Sequence, residues 1–143
     1  MLECLKRMAG GGIGETCADK GEKYIKKTKT LMIIDDDKDI VKILTRFATG
    51  MHWRVNSAED GVKAMSMLST GKPDLILLDR NMPKMAGDEL LLYIKGDPHL
   101  HGIPVVIITG DVEGLVKSVT RGVGILVKPF KIEVLEALLK AIL

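Results

Sequence analysis

Five polar residues of this chain each stand at the end of an apolar run, and their types together describe a site. Asp35 and Asp36 follow Leu31–Ile34, Asp79 follows Leu75–Leu78, Thr109 follows Val105–Ile108, and Lys128 follows Ile125–Val127. Short continuous apolar runs bounded by turn signals read as strands buried on both faces, the kind found inside a parallel sheet. In such a sheet the carboxyl ends of the strands share one edge, where open α/β folds place their ligands. The five side chains should therefore converge. Three carboxylates brought together raise each other's pKa unless a cation neutralises them. Hard oxygen ligands of this kind suit Mg²⁺, which takes a few protein carboxylates and keeps several waters. A lysine and a threonine hydroxyl supply the charge and the hydrogen-bond donor that a phosphoryl oxygen accepts. A carboxylate placed like Asp79 is a metal ligand, a nucleophile or both, and the whole set describes phosphoryl transfer to a carboxylate.

Each residue alone has a plainer reading. Asp36 or Asp37 would serve as the cap of the helix that follows. Thr109 would be an ordinary strand end, and Lys128-Pro129 a charged turn. What favours the site is that these features fall at the ends of separate strands. His52, His99 and His101 share no spacing and read as solvated, and the eight methionines read as core filler.

The elements that must position the set alternate from Leu31 onward. Ile40, Val41, Ile43, Leu44 and Phe47 recur at helical spacing until Gly50 closes the helix. Trp53–Asn56 reads as a second strand, at a sheet edge because only Trp53 and Val55 are apolar. Ser57 with Asp60 resembles a capping pair, and Val62, Met65 and Leu68 are expected to face the core from the next helix. Pro73 precedes the Asp79 strand, and Pro83 and Gly87 punctuate the loop after it. Leu90, Leu91 and Ile94 form the stripe of a third helix that Gly96 and Pro98 end. A fourth helix is expected over Asp111–Arg121, from poor material: Val112, Gly114, Val116, Val119 and Thr120 all lower helix propensity. Ile125–Val127 is the fifth strand, and Ile132, Leu135, Leu138, Leu139 and Ile142 line the last helix. Five βα units imply an α/β fold with a doubly wound parallel sheet and right-handed crossovers.

The bulk properties narrow the function classes. A chain of 143 residues with 46% apolar and 28% charged residues is one globular domain. A net charge of +2 is too small to argue for nucleic acid. The longest apolar runs are far too short to insert into a membrane. Leu2–Met8 carries charges and lacks the apolar core of a signal peptide, so a cytoplasmic location is the default. Cys4 and Cys17 have no partners at zinc spacing and read as free thiols. Residues 1–29 read as a flexible N-terminal tail: Gly10, Gly11, Gly12 and Gly14 are followed by Lys20, Lys23, Lys26, Lys27 and Lys29. Leu2, Leu5 and Met8 would give it one apolar face, the lesser reading being a docking element. Its glycines form no phosphate loop, since no Gly-Lys-Ser/Thr follows.

Four stretches carry a resemblance to a known family. They are Ile33-Ile34-Asp35-Asp36-Asp37, Leu77-Leu78-Asp79-Arg80-Asn81-Met82-Pro83 with Gly87, Ile103-Pro104 through Thr109-Gly110, and Leu126-Val127-Lys128-Pro129-Phe130. In this order they resemble the CheY-like receiver domain of two-component response regulators, over residues 30–143. The resemblance implies a flavodoxin-like (βα)5 fold with strand order 2-1-3-4-5. It implies that Asp79 accepts a phosphoryl group from a histidine kinase or a histidine phosphotransfer protein. Asp36 would bind Mg²⁺ directly, Asp35 partly through water, and Asp79 and the backbone carbonyl of Asn81 would complete the protein's share. Thr109 would hydrogen-bond one phosphoryl oxygen and Lys128 would pair with another, aimed by a cis Lys128-Pro129 peptide. Charge added at Asp79 would then bias a neighbouring surface that signals by protein contact, with no external substrate turned over and with loss of the group by autodephosphorylation.

Two features depart from the family pattern. Ile125 stands where an aromatic residue usually lies three positions before the lysine. The 19 residues from Thr109 to Lys128 are a few fewer than usual, which implies a short or irregular fourth helix. Two other functions fit parts of the chain. One is a receiver-like interaction module that is never phosphorylated. The other is a haloacid dehalogenase-type phosphatase built on Asp35-x-Asp37, Thr109 and Lys128. That second reading leaves Asp79 unexplained, and only 15 residues, including Glu133 and Glu136, follow Lys128 to supply further metal ligands.

Overall fold

The computed structural model describes residues 27–82, 84–110 and 123–142. In chain order the elements are β1 (Thr30–Ile34), α1 (Lys38–Gly50), β2 (Arg54–Ala58), α2 (Gly61–Leu68) and β3 (Leu75–Asp79). They continue with α3 (Gly87–Gly96), β4 (Val105–Thr109), β5 (Gly124–Val127) and α4 (Ile132–Ile142). All strand pairs are parallel, in the order β2-β1-β3-β4-β5. This is the doubly wound, flavodoxin-like arrangement that the sequence implies. The expected tail over residues 1–29 falls mostly outside the described residues, as do Pro83 and the helix expected over Asp111–Arg121.

The period-2 alternation of a strand sends neighbouring side chains to opposite faces, and the central strands bury both. Leu31 and Ile33 of β1 and Leu75 and Leu77 of β3 pack with Leu44 of α1 and with Leu135 and Leu139 of α4. Met32, Ile34, Ile76 and Leu78 pack on the other side with Ala64 and Leu68 of α2 and with Leu90, Leu91 and Ile94 of α3. Each core sits between the sheet and one helical layer, so the central strands cannot slip by one residue without exchanging their two faces. That register places the site: Ile34 stands beside Leu78, Asp79 beside Ile108, and Thr109 beside Val127.

The structure corrects several local expectations. β2 runs over Arg54–Ala58 rather than Trp53–Asn56, and Trp53 lies buried just before it, in the core shared with α1 and α4. Gly50 is the last residue of α1, but the left-handed exit comes later: Met51 caps the helix and His52 takes φ 70°. Ser57 is a strand residue, so Asp60 alone caps α2, accepting the Lys63 N–H at 2.8 Å. Val62 points outward, because the buried face of α2 is Gly61, Ala64 and Leu68, three and four residues apart. Ile43 is 60% exposed although the rest of its apolar set faces the sheet.

Candidate functional site

The carboxyl ends of β1 and β3 deliver the acids. Asp35, Asp36 and Asp79 each offer a carboxylate oxygen, and those atoms lie within 4.8 Å of one another. Asp35 and Asp79 are buried, whereas Asp36 is exposed at the rim. The next residue, Asp37, has a different role. Its carboxylate accepts the N–H groups of Asp39 at 3.0 Å and Ile40 at 3.3 Å and caps α1. Of the two candidate caps, then, Asp37 holds the helix and leaves Asp36 to the cluster.

Asp35 is the most constrained of the three. Its Oδ1 accepts the Asp37 N–H at 2.9 Å, while Oδ2 is buried with no hydrogen-bond partner among the described residues. Burial, more than the neighbouring Asp79 and Asp36 charges, pushes its carboxyl up to about 6. Asp79 is raised as well, again chiefly by burial, with the Lys128 charge and the Asn81 N–H opposing the rise. Mutual repulsion, the cause that charge counting alone suggests, is secondary in both. Two buried carboxyls held above their usual range, one with an orphaned oxygen, fit a divalent cation that would satisfy that oxygen and neutralise the set. The residues present fit Mg²⁺.

Lys128 enters from the other side of β3. Leu126 packs toward the α1–α4 core, and two residues later the alternation aims Lys128 the same way, its Nζ 3.4 Å from Asp79 Oδ1. The Lys128-Pro129 peptide is cis, as the resemblance implies. The Lys128 N–H donates to the Thr109 carbonyl at 2.8 Å, tying the lysine's backbone to the end of β4. Thr109 is buried there, on the strand directly beside that of Asp79. Asn81 lies exposed two residues past Asp79, where its backbone N–H favours the charged form of the Asp79 carboxylate. The histidines His52, His99 and His101 are all exposed and lie outside this cluster.

Sequence reasoning missed three residues around the site. Gly87 was legible only as punctuation, yet a Cβ there would meet the Asp79 carbonyl at 2.6 Å and Arg80 Cα at 2.8 Å. Its glycine is what lets α3 begin against the end of β3. Asp60 and Lys84 form an ion pair at 3.3 Å between α2 and the β3–α3 loop. A capping signal at Asp60 was visible; its partner in a later loop was not.

A strand-edge acid cluster with a lysine, on a five-stranded doubly wound sheet, defines a class, and comparison with known proteins agrees. The response regulator receiver domain family matches residues 31–140, and the chain belongs to that family. It is 33% identical over 113 residues to chemotaxis protein CheY-3 of Vibrio cholerae serotype O1, covering 76% of this chain and 87% of that protein. Its fold is similar to that of Vibrio cholerae chemotaxis protein CheY4, with a TM-score of 0.74 at 25% identity over 82% of this chain and all of that one. It is also similar to the signal receiver domain of a signal transduction histidine kinase from Syntrophus aciditrophicus. That match has a TM-score of 0.74 at 30% identity, covering 80% of this chain and 89% of the other. Receiver domains are signalling modules of two-component systems and bind Mg²⁺ at an acidic pocket. Among the described residues no helix is long and apolar enough to cross a membrane.

Proposed function

We propose that Asp79 is the phosphoacceptor of a two-component phosphorelay. The observation that carries this reading is the packing of Asp35, Asp36 and Asp79 within 4.8 Å, with Lys128 Nζ 3.4 Å from Asp79. In the transfer, an Asp79 oxygen attacks the phosphorus of a phosphohistidine on a histidine kinase or a histidine phosphotransfer protein. The new O–P bond forms as the N–P bond breaks, and the departing imidazole keeps that bond's electron pair and takes up a proton. Asp35, Asp36, Asp79 and the Asn81 carbonyl would hold Mg²⁺, which when bound neutralises charge on the phosphoryl oxygens. Lys128 exchanges its Asp79 partner for a phosphoryl oxygen, and the Thr109 hydroxyl donates to another.

The donor has a surface to sit on. Ile40, Ile43, Leu44, Pro129, Phe130 and Ile132 line an apolar groove that opens beside Lys128. Gly110, exposed and with open space where a side chain would be, leaves water a route to the acyl phosphate, so the protein autodephosphorylates and turns over no external substrate. Output runs through protein contact, in the cytoplasm, from a receiver unit at residues 30–143 to which residues 1–29 are an appendage. A haloacid dehalogenase-type reading loses support because Asp37, its second acid, is engaged in capping α1.

Intact-mass spectrometry after incubation with acetyl phosphate and Mg²⁺ tests this directly. One phosphoryl adduct is expected, absent in Asp79→Asn and absent with a chelator. No adduct under any condition would make the chain a receiver-like interaction module instead.

A further inference from the structure

The loop from Arg80 to Ala86 begins at the phosphoacceptor and carries the Asn81 carbonyl. Its base is closed by its own backbone, the Gly87 N–H donating to the Arg80 carbonyl at 2.8 Å. Its far end leans on a different element. Lys84 holds φ 69°, a left-handed conformation that L side chains adopt only when something fixes them there. From there its side chain reaches α2, with Lys84 Nζ 3.3 Å from Asp60 Oδ2. Beside that pair, Met85 lies against Gly61 so closely that a Cβ on Gly61 would come within 2.7 Å of the Met85 Cβ. Asp60 is buried and its other oxygen caps α2 through the Lys63 N–H, so its position is set by the helix rather than by the loop. Asp36, Lys38 and Glu59 border the same small cleft as Asp60 and Lys84, about 250 Å³ in volume.

We infer that Asp60 and Lys84 form a strut from the start of α2 that sets the height of the β3–α3 loop. Through that loop the strut sets the affinity of the acidic pocket for Mg²⁺. Asp60 and Lys84 are thus positioning residues, and the inference rests on the proposed Mg²⁺ site. Electrostatics alone predicts the opposite sign for one half of the pair. Lys84 is a cation beside an acidic cleft, so deleting its charge should tighten Mg²⁺ binding if charge were its only role. A strut predicts weaker binding, because the carbonyl that completes the metal's ligands loses its support.

The test is calorimetric titration of Mg²⁺ into the full chain at constant ionic strength, with a melting temperature for each variant. Lys84→Met keeps an unbranched side chain at the left-handed position and removes the charge. It is expected to weaken Mg²⁺ binding about threefold, the scale of a half-exposed ion pair. Asp60→Asn, which keeps the cap, should weaken binding too, and the double variant should be no weaker than the weaker single one. Lys84→Arg should restore wild-type affinity. At saturating Mg²⁺, acetyl phosphate should label Lys84→Met at the wild-type rate, which general structural damage would not allow. Lys84→Met binding Mg²⁺ as tightly as wild type, or more tightly, overturns the strut. Should that variant not fold, Gly61→Ala decides. It alters no charge and must displace Met85, so unchanged affinity overturns the strut there as well. A wild-type chain that binds no Mg²⁺ would instead remove the metal site on which the inference stands.

Discussion

The centre of the sheet and its β5 edge are built to different standards. Every residue of β3 and β4 is buried, and these strands end in Asp79 and Thr109. In β5 only Leu126 is buried; Ile125 and Val127 are 41% and 45% exposed. Side chains locked on both faces hold a carboxylate to a fraction of an ångström, which the proposed phosphoryl transfer to Asp79 would require. A half-covered edge strand has no such constraint and remains able to answer a change of charge. Lys128 joins the two regions: its backbone belongs to the end of β5 and its ammonium to Asp79. The side chain that pairs with Asp79 is thus carried by a strand with only one buried residue.

The largest expected effects concern the centre. Asp79→Asn should lose the phosphoryl adduct completely while the protein stays folded, because a neutral amide relieves a buried carboxyl held above its usual range. A residual adduct of the same size in that variant would move the chemistry elsewhere. Leu77→Ala should cost about 2–5 kcal/mol in urea unfolding followed by Trp53 fluorescence, the cost of a buried leucine replaced by a cavity. Ile125→Ala should cost under about 1 kcal/mol, since nearly half of that side chain already meets water. Equal losses at the two positions would erase the distinction between centre and edge.

The acidic pocket adds a pH dependence with a definite sign. Asp35 binds its proton more tightly folded, at about 6, than at the ordinary aspartate value of 3.8 that describes it unfolded. Its contribution is therefore full below 3.8 and is lost as pH rises through about 6, up to about 3 kcal/mol for a gap of about two pH units. Asp79 acts in the same direction. Asp60, whose carboxyl is held below its usual value first by the Lys63 N–H, destabilises only at lower pH and does not cancel this trend. Without metal, stability should rise as pH is lowered from 7.5 to 5, and Mg²⁺ at pH 7.5 should recover what the higher pH removed. Urea midpoints that fall over that interval in the presence of a chelator would contradict the assignment.

The same contrast explains what the sequence made legible. β3 and β4 were readable because a run of four apolar residues leaves no other way to bury both faces. Asp35, Asp36, Asp79 and Lys128 followed from them, since strand ends in a parallel sheet share an edge. The far limit of β2 was not readable, because Ser57 and Ala58 join the strand through pairing with Ile33 and Ile34 of β1. The Asp60–Lys84 pair was hidden for a similar reason. It joins a helix start to a later loop, and neither residue's local pattern encodes the other.

The end of α1 gives the smallest and most local test. Glycine is the usual residue where a helix leaves through the left-handed region, and Gly50 suggested that exit. The chain instead stays helical through Gly50 and turns at His52, whose φ of 70° carries a steric cost that glycine avoids. Backbone hydrogen bonds hold the turn, the His52 N–H donating to the Thr49 carbonyl at 2.9 Å and the Trp53 N–H to the Ala48 carbonyl at 3.0 Å. His52→Gly should keep both bonds and relieve the strain, offset in part by glycine's greater freedom when unfolded. A net gain of about 0.5–1 kcal/mol is expected. Because Trp53 and Ala48 belong to the α1–α4 core, that gain should appear as slower unfolding of the sheet's centre, with phosphorylation of Asp79 unchanged. A loss of stability in His52→Gly would mean that the imidazole supports the turn through contacts that outweigh its backbone strain.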